Sequence, residues 1–145
     1  MQNKELVSVI INCRNSQKFL RDCIDSVIDQ SYRNLEIIIV DNQSSDDTKS
    51  IIHSFKDKRI KYFKTNDYIS LGAARNFALS KSNGEFIAFI DSDDLWRKNK
   101  ILNVINKLKD GLGLVYSDVL YFNETKSFRL YSHRKIYTGK CFKDL

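Results

Sequence analysis

The segment FIDSDDLW, residues 89–96, sets Asp91, Asp93 and Asp94 within four positions, directly behind the apolar run EFIAFI. Carboxylates this close repel and raise each other's pKa unless a cation sits among them. Such a cluster either spreads into water as a helix-start loop or holds a metal. In an extended chain the side chains at i and i+2 share a face, so Asp91 and Asp93 suit one hard cation. Mg2+ and Mn2+ take one or two protein carboxylates and complete their shell with water and substrate phosphate. Asp94 suits the N-cap of a following helix. A second group is LGAARN, residues 71–76. Here Gly72, Ala73 and Ala74 allow close backbone approach at a helix start, and Arg75 offers a forked donor to phosphate. The alternative for that segment is an alanine-rich packed helix with an exposed arginine. Tyr32 and Trp96 read as packing residues rather than stacking platforms.

The elements that must position these groups alternate in type. LVSVIIN (6–12) is short, continuous and β-branched, the pattern of a buried strand. Phe19, Leu20, Cys23, Ile24, Val27 and Ile28 then repeat at helical spacing, predicting a helix over Gln17–Gln30. LEIIIV (35–40) is a second buried strand, followed by DNQSSDDT, where Ser44 or Ser45 is expected to cap a helix with Ile51, Ile52 and Phe55 inward. RIKYFK (59–64) is a third strand, 71–82 a helix stopped near Asn83-Gly84, and EFIAFI (85–90) a fourth strand. An amphipathic helix follows from Leu95 to Leu108, then a fifth strand GLVYS (113–117) and a hairpin of VLYF with SFRLYS. Alternating strands and helices imply an α/β fold, a mostly parallel open sheet with helices on both faces. Ligands of such sheets bind beyond the carboxyl ends of the strands. That rule gathers NCRN (12–15), DNQS (41–44) and DSDD (91–94) at one edge.

Composition narrows the classes. The chain has 145 residues, 42% of them hydrophobic, enough for one domain with a core. No apolar run reaches transmembrane length, and MQNKELVSVIIN lacks the charged head, apolar block and cleavage site of a signal peptide. Cys13, Cys23 and Cys141 are odd in number and share no CxxC spacing. They argue against a disulfide framework or zinc site and fit a reducing cytoplasm. A net charge of +6 suits polyanionic partners or a merely solvated surface, and no nucleic-acid motif accompanies it. There is no GxGxxG, no GxxxxGK[ST] and no GxSxG. His53 and His133 have no metal-ligand spacing.

VSVIINCRN, SVIDQSYRNLEIIIVDNQSSDDT, LGAARNFAL and GEFIAFIDSDDLW together resemble, in order and spacing, the successive signatures of glycosyltransferase family 2, from Leu6 to Leu108. The resemblance implies a GT-A fold, Rossmann-like, and a nucleotide-diphospho-sugar donor, most often a UDP-sugar. It also implies roles by position. Asn12 and Arg14 would line the nucleotide pocket, Asp41 and Asn42 would contact the base, and Arg75 would lie near the nucleotide and diphosphate. Asp91 and Asp93 would form the DxD motif, with Asp93 the direct ligand of Mn2+ or Mg2+ and Asp91 nearer the ribose or metal shell. The sequence departs from the family where Pro-Thr-Tyr-Asn is usual, having Asn12-Cys13-Arg14-Asn15, and where Asp-Asp is usual, having Asp41-Asn42. An asparagine both donates and accepts, so base preference is open to change. The proline usual near Lys98 is missing.

Family members invert the anomeric centre with a carboxylate base that follows the acceptor-binding segment. Asp118 and Glu124 are the only acids between Gly111 and Lys143, and neither stands in an acceptor motif. The chain is therefore expected to be one GT-A domain, residues 1–145, cut before the acceptor-binding part. The catalytic base is expected beyond Leu145, and no residue of this chain is assigned to it. The expected function is sugar transfer to a saccharide or lipid-linked acceptor in cell-surface polysaccharide synthesis, at the cytoplasmic face of a membrane. The alternative within the fold is a donor-binding module without transfer activity. A metal-dependent phosphatase of the haloacid-dehalogenase type, or a flavodoxin-like signalling module, would carry its acids after a different strand. Neither sugar, acceptor nor oligomeric state is encoded in these motifs.

Overall fold

The computed structural model describes residues 5–108, 113–117, 119–122 and 127–129. The chain divides between Ile105 and Asn106 into two compact units. The first carries β1 (Val7–Cys13), α1 (Leu20–Ile28), β2 (Leu35–Asp41), α2 (Thr48–Ser54), β3 (Ile60–Lys64), α3 (Leu71–Leu79), β4 (Phe86–Asp91) and the start of α4 (Lys100–Leu108). Its four strands run parallel in the order β3-β2-β1-β4. The second unit contains the hairpin β5 (Leu120–Phe122) with β6 (Ser127–Arg129), antiparallel as the sequence pattern predicts.

β1 and β2 are the two central strands, and this is why they read as unbroken apolar runs: both of their faces are covered. Ile10, Ile38 and Val40 pack against Ala74 and Ala78 of α3, whose small side chains bring the helix close to the sheet. Val9, Ile11, Ile37 and Ile39 point the other way and are fully buried, under the stripe Leu20, Cys23, Ile24 and Val27 of α1 and the adjoining α2. The chain steps outward from β1 to β3 and then returns across β2 and β1 to β4. Right-handed crossovers in opposite directions place α1 and α2 on one face and α3 on the other. The direction of the connections changes between β1 and β4.

The structure corrects several local expectations. α1 starts at Leu20, not Gln17, because Phe19 and Leu20 both donate to the Ser16 carbonyl in a tight turn and Gln17 is bonded elsewhere. Neither Ser44 nor Ser45 caps α2. The Asp46 carboxylate accepts from the Thr48 amide (3.1 Å), while the serines tie two loops together. Asp94 caps no helix, since α4 begins at Lys100. α3 ends at Leu79, and its N-cap is Ser70, which accepts from the Ala73 amide. Residues 113–117 form no strand; their alternation has no neighbouring strand among the described residues to satisfy it.

A buried carboxylate that the sequence reading did not single out sits at the opposite end of the sheet. Glu36 is 5% exposed, the second residue of β2, between Leu35 and Ile37. It accepts from Ser8 Oγ (2.5 Å), Lys61 Nζ (2.6 Å), Asn83 N (2.5 Å) and Gly84 N (3.1 Å). Burial alone would push its pKa up, but the hydrogen bonds from Lys61, Ser8 and Asn83 outweigh it and hold it at about 2. The α3–β4 turn is thereby fastened to β1 and β2. Gly84 is required there: a Cβ would lie 2.6 Å from Ser8 N and 2.9 Å from Leu6 O, backbone atoms that cannot yield.

Candidate functional site

Register fixes which predicted residues meet. Asn12 on β1 pairs with Val40 on one side and Asp91 on the other, and paired residues of a parallel sheet share a face. Asn12 and Asp91 therefore lie on the α3 face, at the carboxyl ends of β1 and β4. Arg75, on α3, donates from Nη2 to Asp91 Oδ1 at 3.1 Å, with its guanidinium 5.8 Å from the Phe89 ring. Three of the predicted residues are thus brought together at the point where α/β sheets bind ligands. Asn12 Oδ1 is buried without a hydrogen-bond partner. An unmet acceptor costs about 1–3 kcal/mol, and a ligand donor reaching it would recover that cost.

The acids are presented by a turn, not by an extended strand. Asp94 N donates to the Asp91 carbonyl (3.0 Å), closing Asp91–Asp94. The carboxylates of Asp91 and Asp93 are exposed, and Asp93 has no bonded partner among the described residues. Desolvation, then the charges of Asp91 and Asp93, raise the Asp94 carboxyl. A cation would relieve that repulsion. Among the described residues no three His, Cys, Asp or Glu side chains converge as a metal cage. The available donors are thus hard oxygens, few and open to solvent. Such a set fits Mg2+ or Mn2+ carried with a diphosphate better than an all-protein site.

Asp41 and Asn42 are placed differently from their neighbours. The Asp41 side chain points to the α2 face, buried, accepting from Ser44 N (2.8 Å) and Tyr62 Oη (3.0 Å). Asn42 commits its amide to the β3–α3 loop. It donates to the Ile69 carbonyl (2.7 Å) and accepts from Ile69 N (3.0 Å) and Thr65 Oγ1 (3.2 Å). Gln43, in the left-handed region at φ 61°, donates to the Thr65 and Asn66 carbonyls of the same loop. The loop so held presents Tyr68, over whose ring the Arg14 guanidinium stacks at 4.1 Å. Sequence reasoning missed Tyr68; no spacing rule links residue 14 to residue 68.

DNQSSDDT also braces the loop after β1. Asn15, at φ 50°, donates to Ser44 Oγ and accepts from Ser45 N; Gln17 and Ser16 bond Asp46, Asp47 and Thr48. Ser16 Oγ meets Ser92 Oγ at 2.9 Å, joining that loop to the acid turn. Beneath the turn, Cys23 Sγ lies 3.5 Å from the Asp91 carbonyl. Burial and then the charges of Asp94, Asp93 and Asp91 push this thiol up to about 12. Asp118, Glu124 and His133 lie outside the described residues. So does Leu145, and the expectation of a base beyond it therefore has no counterpart in the described structure.

The family model for glycosyl transferase family 2 matches residues 8–144. The chain belongs to glycosyltransferase family 2. Among curated members it is 45% identical over 102 residues to the Escherichia coli UDP-Glc:alpha-D-GlcNAc-diphosphoundecaprenol beta-1,3-glucosyltransferase WfaP, covering 70% of this chain and 41% of that enzyme. To E. coli WfgD, which bears the same activity name, it is 39% identical over 120 residues, covering 81% and 47%. The chain spans less than half the length of these two family members. The S. aureus TarS structure in complex with UDP superposes with a TM-score of 0.68 at 29% identity, over 72% of this chain and 32% of that one. A Pyrobaculum calidifontis mannosyltransferase in complex with GDP-Man and Mn2+ shares the fold, with a TM-score of 0.69 at 24% identity, over 74% and 33%. The family's GT-A sheet is the parallel sheet described above, and among the described residues no helix is long and apolar enough to cross a membrane.

Proposed function

We propose that this chain is the donor-binding portion, in one GT-A domain, of an inverting glycosyltransferase. Its donor is a nucleotide-diphospho-sugar, a UDP-sugar by analogy with the named relatives. Its acceptor is a saccharide or a lipid-linked saccharide used in cell-surface polysaccharide synthesis at the cytoplasmic face of the membrane. The observation that carries the reading is the meeting of Asn12, Arg75 and Asp91 at the carboxyl ends of β1 and β4, with the acid turn beside them. Asp93 and Asp91 are the residues that would hold Mn2+ or Mg2+. When bound, such a cation neutralises charge on the diphosphate of the leaving nucleotide.

The chain's own residues do the rest. Arg75 lies within reach of both Asp91 and an incoming phosphate, so it orients the carboxylate and binds the donor's anionic end. Asn12 offers its unpaired oxygen to a donor N–H or O–H. Asp41 and Asn42 serve the base by fixing the loops that flank it, and Arg14 on Tyr68 supplies a flat cationic wall. No described residue is assigned as the base that deprotonates the acceptor.

Calorimetry with UDP-, GDP- and dTDP-sugars, each with and without Mn2+, tests the reading. Binding is expected only with the metal and is expected to be lost in Asp93→Ala. Tight binding in EDTA, or binding indifferent to Asp93→Ala, would refute the metal assignment.

A further inference from the structure

The acid turn is exposed, and its own strand β4 lies at the edge of the four-stranded sheet. What holds it in place lies on α1 and just beyond. Gln30 is fully buried. Its Nε2 donates to the Ser26 carbonyl and to the Arg97 carbonyl, both at 3.0 Å, and its Oε1 accepts from Ile101 N at 3.0 Å. One side chain thus satisfies a carbonyl in the segment after the acids and an otherwise orphaned amide in the first turn of α4. The contacts on either side repeat the arrangement. Ser31 N donates to the Lys98 carbonyl (2.9 Å). Ser26 Oγ accepts from Trp96 N (3.2 Å) while donating to the Cys23 carbonyl (2.7 Å). With the Cys23 thiol at Asp91 O and Ser16 at Ser92, the segment from Asp91 to Ile101 is bonded to the 16–31 stretch at six stations.

We infer that Gln30, with Ser26, is a positioning residue for the donor's metal: α1 acts as a splint that fixes the course of residues 91–101, and through it the placement of Asp93. This rests on the proposed role of Asp93 as metal ligand. The physical reason is that Asp93 has no bonded partner of its own among the described residues, so its direction is set by the backbone that carries it. That backbone leaves β4 at Asp91 and has no regular structure until Lys100. A stretch of this length without a ladder would sample many courses, and sites displaced by as little as an ångström lose much of their binding. A buried amide with all three hydrogen bonds met is a costly device to keep in a core unless geometry is its purpose. A merely structural Gln30 would affect folding without distinguishing metal-dependent from metal-independent binding.

The test measures the affinity of the full chain for UDP in Mn2+ and in EDTA, and takes the ratio as the metal's share. Variants are Gln30→Met, similar in length but without hydrogen bonds, and Ser26→Ala as the milder change should Gln30→Met fail to fold. Ile52→Val, in the core under α2, controls for loss of stability alone. Wild type is expected to bind UDP at least tenfold tighter with Mn2+. Gln30→Met should cut that ratio fivefold or more, and Ser26→Ala about twofold to threefold. Affinity in EDTA should change less than twofold, and Ile52→Val should leave the ratio alone. Electron paramagnetic resonance of Mn2+ in the ternary complex should show a broadened, heterogeneous environment in Gln30→Met. Asp93→Asn separates the two readings. If it abolishes the metal's share and Gln30→Met and Ser26→Ala do not reduce it, the splint is refuted and the DxD assignment stands. If Asp93→Asn changes nothing, both fall.

Discussion

Replacing Glu36 with glutamine keeps the shape of the side chain and removes its charge, and the structure sets what that should cost. Five donors converge on the carboxylate, from Ser8, Lys61, Gly84 and both the amide and the side chain of Asn83. Glutamine offers one acceptor oxygen and turns its NH2 toward groups that themselves donate. Removing one partner of a buried charged cluster costs about 3–5 kcal/mol; the retained oxygen lowers this to about 2–4 kcal/mol. Lys61 is 43% exposed, so solvent screens part of its attraction. The pH dependence supplies an independent measure. A glutamate pKa lowered from 4.5 to about 2 on folding is worth about 3 kcal/mol. That stability is fully present above pH 4.5 and disappears as pH falls toward 2, because the folded carboxylate must then take up a proton it resists. Urea denaturation of wild type and Glu36→Gln between pH 7 and pH 3 reads both quantities. The two should differ by about 2–4 kcal/mol at pH 7, and the gap should narrow steadily below about pH 4.5. A gap under about 1 kcal/mol at pH 7, or one that stays constant to pH 3, would refute the reasoning.

Other expectations follow from single contacts. Gly84→Ala should cost about 2–3 kcal/mol in urea denaturation, since its Cβ meets Ser8 N and Leu6 O, backbone atoms that cannot swing away, as well as Ser8 Oγ. Asn42→Ala removes both bonds to the Ile69 backbone; hydrogen exchange should quicken at residues 65–70, and UDP binding should weaken several-fold while β1 and β2 keep their protection. Cys13 and Cys23 are buried with their thiols held well above the ordinary range. A thiol reagent at pH 8 should leave both unlabelled for as long as the chain is folded and label them once urea unfolds it.

The sequence showed what depends on period and on strand ends. Unbroken apolar runs gave β1 and β2 because both of their faces are covered, and the polar groups after three strands fell at one edge because parallel strands end together. The meeting of Asn12 with Asp91 needed the strand order, which periodicity does not contain: β4 returns beside β1 rather than continuing beyond β3. Ser44 and Ser45 looked like caps because hydroxyls before a helix often are, yet a partner some 30 residues away, Asn15, took them. Gln30 and Glu36 were invisible for the same reason. A polar residue within an apolar pattern declares itself only when its distant partners are known. The turn at Asp91–Asp94 set aside the argument from extended spacing.

The crossover that carries Arg75 is buckled to β2 at both ends, by Asn42 where it leaves β3 and by Glu36 where it enters β4. β2 therefore cannot be buried comfortably before the crossover arrives, since its carboxylate would be sealed in without the amides of Asn83 and Gly84. Strand and crossover must form together. In the language of folding, residues 36 to 84 make one cooperative piece, and the arginine at the mouth of the site is secured by the same event that completes the core.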